Sequence, residues 1–401
     1  MAKIKPFKGI MFKKSDKLNF GDYLCPPFDV INDDLKSKLY GTSKFNVIRL
    51  ENGKIFDNDD QVNNKYIRAK DLFKLWLKDG RLLQSKEDCF YILEETYLNL
   101  GKLQSRKSLI AVVGLHEYTD KVIFPHEKTR KKQKQDRLEL MLSTKANFSP
   151  IMSFVEDKNS NLFKFLSEAT KGTEIAQGSI LEMHDFKLWK ITDKDEIRFL
   201  ENLIDAEDIF IADGHHRYET AVTFSKIEPS LPKFRMMNLV SLNDPGLLML
   251  GYHRALSGID INKMNLIENE LNSRFEVVKT KWQDSFLNWH YNDKNQILLM
   301  IKDKFLILTT KDPSKSSYEI LNELFEDNFT HNEIISYLSY DHDSESIIEK
   351  IESNKYQMGF LMNALSKDYF LDTVSKGILL PAKSTFFYPK LPTGLVIQYL
   401  K

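Results

Sequence analysis

The 401-residue sequence contains little cysteine and carries no excess of either charge. Its two cysteines, Cys25 and Cys89, do not have the spacing of a zinc site. One disulfide would add little to a chain of this length, so we expect reduced thiols and a cytoplasmic protein. Lysine plus arginine and aspartate plus glutamate both number 57, which gives a formal net charge of zero. No overall positive field exists to attract nucleic acid or anionic lipid, and we expect neither as a partner.

Long apolar runs, repeats and linkers are also missing. No stretch approaches the roughly 18 uninterrupted apolar residues of a membrane helix, and the N-terminus lacks the apolar core of a signal peptide. The sequence is instead rich in residues that can form a hydrophobic core: 42% of its residues are hydrophobic, and it has 27 phenylalanines and 16 tyrosines. This composition excludes disorder over the whole chain.

Local patterns predict helices and strands in mixed order. Hydrophobic periodicity predicts a helix over 62–79, and short apolar runs predict strands at 90–93 and 109–115. We place one domain at 1–255 and a mixed α/β C-terminal region at 256–401. The expected fold class is α/β or α+β with a mixed sheet.

The sharpest pattern is a short apolar strand, DIFIA, followed by Asp213, Gly214, His215, His216 and Arg217 and then by a helix. Backbone N–H groups at a helix N-terminus favour an anion, and glycine lets a phosphate approach the backbone closely. The histidines add donors, arginine adds a planar fork, and the aspartate could hold a metal or accept a proton. The alternative is a simple helix cap followed by surface histidines.

A second cluster combines His126, Glu127, Lys128 and Thr129. These side chains could supply a base, a carboxylate, a phosphate-binding cation and a hydroxyl. The segment from Lys128 to Arg137 is also strongly basic. Charge runs of this kind usually form a solvated helix surface, and that interpretation stays open here.

Two further segments are weaker candidates. Asp29 lies in the loop PPFDVI, where two prolines could fix its carboxylate in a pocket or could simply lead the chain into a helix. Lys383, Ser384 and Thr385 offer a cation and two hydroxyls to a phosphate, but the glycine-rich half of a Walker A loop is missing.

Taken in order along the chain, the motifs resemble those of the domain-of-unknown-function family 1015 of bacterial and archaeal proteins. The matching segments are PPFDVI (26–31), HEKT (126–129), DRL (136–138), IADGHHRYETA (211–221), HR (253–254) and KSTFFYPKLPTGL (383–395). The resemblance covers nearly the whole chain. The family usually has tyrosine where this chain has Phe28, so one hydroxyl is lost.

A looser resemblance concerns the strand–DGHHR–helix unit, which is similar to the phosphate-binding element of the ParB/sulfiredoxin-like superfamily. That superfamily includes free-serine kinases, and members of the family tend to be encoded beside serine-biosynthesis enzymes. The resemblance implies phosphoryl transfer involving serine or O-phosphoserine, with a small phosphorylated molecule as partner. It also implies Mg²⁺ and either ADP or ATP as cofactors, and leaves the direction of transfer, phosphatase or kinase-like, open.

We assign expected roles from these motifs together. The expected catalytic residues are Asp213, His215, His216, Glu127 and His126, and Asp213 is also the expected metal ligand. Glu127 is the first candidate for the general base, followed by Asp29 and then by Asp136. The groups expected to bind substrate or phosphate are Gly214, Arg217, Lys128, Thr129, Asp29, Asp136, Arg137, Lys383, Ser384 and Thr385. We expect the segment 383–385 to return to the same cleft.

Two other functions compete with phosphoryl transfer. The first is a metal-dependent hydrolase that uses His126, His215 and His216 as ligands. The second is a non-catalytic regulator that binds nucleotide or nucleic acid, by analogy with the DNA-partitioning members of the superfamily. The zero net charge and the lack of a helix-turn-helix pattern argue against the second.

Overall fold

The chain folds into two compact units. The structure is a computed structural model that describes residues 2–14, 19–99, 101–129, 131–181, 184–281, 295–302 and 304–401. The first unit consists of Met1–Leu248 together with Pro389–Lys401, and the second of Met249–Tyr388. The C-terminal residues therefore belong with the first unit, whereas the sequence placed everything after 255 in one region.

A large mixed sheet forms the centre of the first unit. Most neighbouring strands are antiparallel, but Ile209–Asp213 runs parallel to Ile123–Phe124, and Phe234–Ser241 runs parallel to Ile151–Val155. The expected mixed sheet is thus confirmed. In spatial order its strands are Ile123–Phe124, Ile209–Asp213, Ile151–Val155, Phe234–Ser241, Lys102–Gly114, Phe90–Asn99, His184–Ile191 and Ala176–Ile180, and Ile4–Lys5 also pairs with Lys102–Gly114.

Helices pack around this sheet, and the helix predicted over 62–79 is observed as Lys65–Lys78. It begins after Asn64, whose side chain accepts from the N–H groups of Tyr66 and Ile67, and it buries Phe73 and Trp76. The other helices of the unit are Asp33–Thr42, Ile48–Glu51, Lys131–Thr144, Asn161–Ala169, Lys194–Asp205 and His215–Ile227, with 3₁₀ helices at Phe20–Tyr23, Phe28–Val30 and Tyr118–Asp120.

Two small ladders hold the ends of the first unit in place. Ile10–Phe12 pairs with Leu82–Gln84, and Ala146–Asn147 pairs with Gln398–Tyr399 near the C-terminus. An isolated bridge also joins Ile10 to Ile397. These contacts are the reason the last residues of the chain lie beside its first ones.

The second unit contains an antiparallel sheet and its own helices. The sheet order is Phe275–Thr280, Lys304–Thr310, Gln296–Ile301, Met358–Met362, His253–Leu256 and Leu338–Asp341. Its helices are Ile261–Arg274, Ser317–Asn328, His331–Tyr337, Ser344–Glu352 and Lys367–Ser375, and Leu248–Leu250 pairs with Phe386–Tyr388. In the described ranges, no helix has the length and apolar character needed to cross a membrane.

Lys383, Ser384 and Thr385 belong to the second unit. The Lys383 ammonium lies 4.7 Å from the centre of the Tyr252 ring, and the Ser384 hydroxyl donates to the carbonyl of Pro381 at 2.7 Å. Ser384 and Thr385 are buried. Their expected return to the DGHHR cleft stays a prediction.

Gly246 marks a close approach in the first unit. Its carbonyl accepts from the buried Tyr97 hydroxyl, and a Cβ at this position would lie 2.0 Å from the carbonyl oxygen of Ser105. We expect Gly246→Ala to lower the free energy of unfolding by roughly 1–3 kcal/mol, because the backbone must shift to relieve the overlap. Chemical denaturation of the full chain measures this loss.

The control for this variant is Gly41→Ala. Gly41 lies in the helix Asp33–Thr42, and a Cβ added there would meet no atom within 4 Å, so alanine should be neutral or stabilising by up to roughly 1 kcal/mol. Equal effects of the two alanine substitutions would contradict the close approach at Gly246.

Candidate functional site

The site is built where a buried strand ends and a helix begins without a side-chain cap. The strand Ile209–Asp213 is buried up to Ala212, and its register against Ile151–Val155 shifts before Asp213. Gly214 follows with φ +101°, and the 13-residue helix His215–Ile227 starts directly after it. Because glycine has no side chain to cap the helix, the first N–H groups and the helix dipole are available to an anion.

Glycine is required at position 214 for two reasons. Its positive φ lies in a region that other residues enter only with strain. In addition, a Cβ there would lie 3.0 Å from the guanidinium of Arg217, which packs over this turn. The sequence motif therefore encodes a turn that lets the arginine fold back onto it.

The Asp213 carboxylate is held between two cations. Lys390 Nζ lies 2.8 Å from Oδ1, and Arg217 Nη2 lies 2.7 Å from Oδ2. Burial by itself would raise the pKa of Asp213, but the charges of Lys390 and Arg217 outweigh it and hold the pKa below its ordinary value. Asp213 is therefore an anion at neutral pH.

Lys390 is the residue of this site that the sequence did not single out. It lies 177 positions from Asp213 along the chain, so no local pattern could pair them. The available indication was its place in KSTFFYPKLPTGL, where Lys383, next to two hydroxyls, is the more conspicuous lysine.

Both terminal nitrogens of the Arg217 guanidinium have hydrogen-bond partners. Only 5% of it is exposed, its Nη1 donates to the carbonyl of Pro150 at 2.6 Å, and its Nη2 donates to Asp213. Arg217 thus holds Asp213 in place, and its expected role in binding phosphate stays a prediction.

Two buried histidines stack edge to face behind the turn. The rings of His126 and His215 are 4.5 Å apart at 86°, and the His126 backbone N–H donates to His215 Nε2 at 3.2 Å. His126 Nδ1 lies 2.8 Å from the carbonyl oxygen of Ile211, which assigns the proton of that imidazole to Nδ1. Burial, with a smaller contribution from His215, lowers the pKa of His126 to about 3. His126 is therefore neutral.

The hydrogen bond to Nε2 also fixes the neighbouring imidazole. Because His215 Nε2 accepts, the neutral ring carries its proton on Nδ1. That nitrogen lies 3.5 Å from Oε1 of Glu127, whose side chain is 28% exposed. His215 thus accepts from a buried backbone amide on one side and faces, without a hydrogen bond among the described residues, a carboxylate that reaches solvent on the other.

His216 is half-buried and responds to three carboxylates. Burial lowers the pKa of His216 below its usual value, and His215 acts in the same direction. Glu127, Asp29 and Glu219 oppose this decrease. Asp29 is exposed, in the 3₁₀ helix Phe28–Val30.

The other residues of the basic segment are engaged elsewhere. Thr129 Oγ1 donates to Glu219 Oε2 at 2.7 Å, Lys134 Nζ reaches the same oxygen, and Lys128 is exposed. Of the four residues 126–129, the structure brings His126 and Glu127 next to the DGHHR turn.

Asp136 and Arg137 form a network of ion pairs in which both carboxylate oxygens of Asp136 have partners. Asp136 is paired with Lys65, accepts from the Tyr66 hydroxyl at 2.9 Å and accepts from Arg137 Nε at 2.9 Å. Burial would raise the pKa of Asp136, but Arg137 and Lys65 lower it to about 2. Arg137 also donates to Glu51 at 3.1 Å. A carboxylate held this way is a poor proton acceptor, so Asp136 ranks last among the three candidates.

The side chains that were expected to bind a metal, Asp213 and the three histidines His126, His215 and His216, are not arranged as metal ligands. The described ranges contain no group of three histidine, cysteine, aspartate or glutamate residues arranged to hold a metal ion. Both oxygens of Asp213 already face cations, and His126 Nδ1 and His215 Nε2 are engaged with the backbone. Asp213 is therefore unsuited to Mg²⁺, and a three-histidine centre is unsupported.

Comparison with known proteins identifies one family. The model of the family described as "Protein of unknown function (DUF1015)" matches residues 4–331. No curated protein matches the chain.

Solved structures give distant matches over about three quarters of the chain. A conserved hypothetical protein from Pyrococcus furiosus is 15% identical with a TM-score of 0.37, covering 72% of this chain and 95% of that one. A free serine kinase in complex with AMP is 13% identical with a TM-score of 0.39, covering 73% and 91%. SbnI with a C-terminal truncation from Staphylococcus aureus is 11% identical with a TM-score of 0.39, covering 71% and 85%. These likenesses are too distant to carry a function over to this chain.

We expect Asp213→Asn to destabilise the protein in a pH-dependent way. The variant leaves Lys390 and Arg217 without their carboxylate, which should cost roughly 3–5 kcal/mol of unfolding free energy at pH 7. The folded-state pKa of Asp213 is below the ordinary value of 3.8, so its stabilisation is complete above that pH and is lost as pH falls through the folded pKa. The gap between wild type and variant should therefore shrink only below about pH 4.

Chemical denaturation at pH 7, 5 and 3.5 measures this gap. Asp195→Asn is the control, because Asp195 is 91% exposed and its removal should leave the unfolding free energy unchanged. Absence of a gap at pH 7, or a gap that is already lost between pH 7 and pH 5, would show that the charge of Asp213 is not what stabilises the turn.

Proposed function

The chain belongs to the DUF1015 family, whose description assigns no function, and from its site we propose that it is a phosphoryl-transfer enzyme acting on O-phosphoserine or serine. One observation carries the proposal. The uncapped start of the helix His215–Ile227 lies beside the ion pairs of Asp213 and beside the carboxylate of Glu127. An anion-binding helix terminus, a cation and an acid–base group thus meet at one place.

Phosphoryl transfer asks the protein mainly to position the reacting groups and to balance charge on the phosphoryl oxygens. The first N–H groups of the helix supply fixed donors, and the helix dipole adds positive potential. Lys390, which is 14% exposed, supplies a cation at the same end. Asp213 keeps that ammonium in place when no phosphate is bound.

Glu127 is the proposed general base. In transfer to serine, its carboxylate takes the hydroxyl proton while the serine oxygen bonds to phosphorus and the donor's P–O bond breaks. In hydrolysis of O-phosphoserine, it takes a proton from water, which attacks phosphorus while the ester P–O bond breaks. The neutral His215 faces Glu127 through Nδ1 and orients it. Asp29 is the second candidate, because it acts on the same His216.

The serine part of the proposal rests on resemblance. The strand–DGHHR–helix unit is similar to the element that holds nucleotide phosphates in free-serine kinases, and this supports ADP or ATP as donor or acceptor. Mg²⁺ commonly accompanies such chemistry by binding the substrate's own phosphates. Since Asp213 does not fit Mg²⁺, no step here is assigned to a metal.

The test is phosphate release from O-phosphoserine by the full chain in the presence of Mg²⁺, with and without AMP or ADP. Release without nucleotide identifies a phosphatase, and formation of ADP or ATP identifies a nucleotide-dependent transferase. Absence of turnover in every arm, with protein that is folded by circular dichroism, would overturn the proposal.

We expect Glu127→Gln to lower kcat by roughly 10²–10⁴-fold in whichever arm is active, because it removes the proton acceptor while keeping the shape of the side chain. Glu117→Gln is the matched control, since Glu117 is exposed and pairs with Lys226 away from the turn. Full activity of Glu127→Gln would rule out Glu127 as the base and direct the same test to Asp29.

A further inference from the structure

A cavity beneath the Asp213 turn is lined by three buried arginines, Arg137, Arg217 and Arg235. Their exposed fractions are 6%, 5% and 4%. The enclosed space that the centre of a water molecule can enter is about 30 Å³, and the hollow measures about 310 Å³ when the solvent at its mouth is included. The inner part has room for about two water molecules. We call it the arginine cavity.

The three arginines of the cavity differ in their ion pairs. Arg137 is paired with Glu51 and Asp136, and Arg217 is paired with Asp213. In the described part of the chain, no carboxylate lies within ion-pair distance of Arg235, whose Nη2 donates to the carbonyl of Ser149 at 2.9 Å. One buried guanidinium therefore lacks a counter-charge, which is a costly arrangement for a protein interior.

Two of the arginines that line the cavity also have a donor without an acceptor. The Nε atoms of Arg217 and Arg235 are buried and find no hydrogen-bond partner among the described residues. A buried N–H without an acceptor costs free energy that a bound oxygen would recover. Burial, reinforced by the charge of Arg217, lowers the pKa of Arg235 to about 9, and the charge of Glu51 opposes this decrease.

The lining also contains oxygens, which restrict where an anion can lie. Glu51 accepts from Arg137 Nη1, and Asn147 Nδ2 donates to Gln398, while Asn147 Oδ1 is buried and, among the described residues, has no donor. An anion is repelled at the Glu51 end and attracted at the end of Arg217 and Arg235. The amide oxygen of Asn147 suits the hydroxyl of a singly protonated phosphate group.

We propose that the arginine cavity binds one phosphate-class oxyanion through the guanidinium groups of Arg217 and Arg235. Arginine is the residue best suited to this, because its planar donors match the oxygens of phosphate. The hollow, which measures about 310 Å³ with its open mouth, admits an inorganic phosphate or the phosphoryl end of a larger molecule. The choice of phosphate among oxyanions rests on the proposed function, whereas the anion site itself rests on the geometry.

The cavity is also connected to the candidate catalytic site. Arg217 lines the cavity and donates from Nη2 to Asp213, so one side chain contacts both. An anion bound beside Arg217 shares the charge that otherwise acts on Asp213 alone. Occupancy of the cavity therefore changes the electrostatic field at the turn.

The experiment is a titration of the full chain with inorganic phosphate, measured by calorimetry and by the thermal midpoint, against sodium chloride at equal ionic strength. We expect one saturable phosphate site per chain and a midpoint that rises with phosphate but not with chloride. Arg235→Met should weaken phosphate binding by about tenfold or more, because it removes a charged donor. Arg198→Met, which removes an exposed arginine, should bind phosphate as wild type does.

Arg235→Lys covers the case in which the methionine variant does not fold. The lysine keeps the positive charge but lacks the planar donors of arginine, so phosphate should still bind, but more weakly than it binds to the wild type. A second titration with O-phosphoserine, repeated at saturating inorganic phosphate, distinguishes the two sources of the anion, since competition places the phosphoryl end of the larger molecule in the cavity. Absence of competition assigns the cavity to inorganic phosphate.

Wild-type protein that binds no phosphate, or phosphate binding that is undiminished in both Arg235 variants, would overturn the proposal. These readouts are independent of turnover. Phosphate binding without any phosphoryl transfer would refute the proposed function and support the anion site. Phosphoryl transfer without phosphate binding would support the proposed function and refute the anion site.

Discussion

The ion pairs of Asp213 are the interaction on which the candidate site depends. They join three parts of the first unit that are far apart in sequence: the strand Ile209–Asp213, the helix His215–Ile227 and the C-terminal segment that starts at Pro389. Gly214 makes this possible, because only its positive φ and missing side chain let Arg217 fold back over the turn. The carboxylate stays ionised, the lysine and arginine are held in place, and the helix N-terminus is left open to an anion.

Burial determines the protonation states around this turn. His126 is neutral, because a buried imidazolium beside a second imidazole would be too costly, and its contact with Ile211 fixes the tautomer. This in turn makes His215 an acceptor at Nε2 and directs its Nδ1 towards Glu127. The two adjacent histidines therefore have different surroundings: His215 is buried, whereas His216 is half-buried and three carboxylates raise its pKa against the effect of burial.

Buried arginines are a second theme of the first unit. Arg137 and Arg217 each have a carboxylate, and Arg235 has a backbone carbonyl. Burying a guanidinium without a counter-ion opposes folding. The buried Nε atoms of Arg217 and Arg235 also lack acceptors among the described residues, so packing alone does not explain these arginines. A bound oxyanion would satisfy the charge and the donors together, and the arginine cavity would then be part of how this chain recognises phosphate.

The sequence alone was sufficient for the mixed α/β fold class, the helix at Lys65–Lys78, the family, and the strand–turn–helix unit around Gly214, because these features depend on hydrophobic periodicity and on local turn chemistry. It also named Glu127 and His126 as candidate catalytic residues, and both side chains lie close to His215. Only the tertiary structure decided which charges meet. Lys390, which the sequence did not single out, pairs with Asp213 beside Arg217. Asp136 pairs with Lys65 and Arg137, and Arg235 lines a cavity. Ion pairs between residues so far apart depend on strand register and burial, and neither can be read from local sequence.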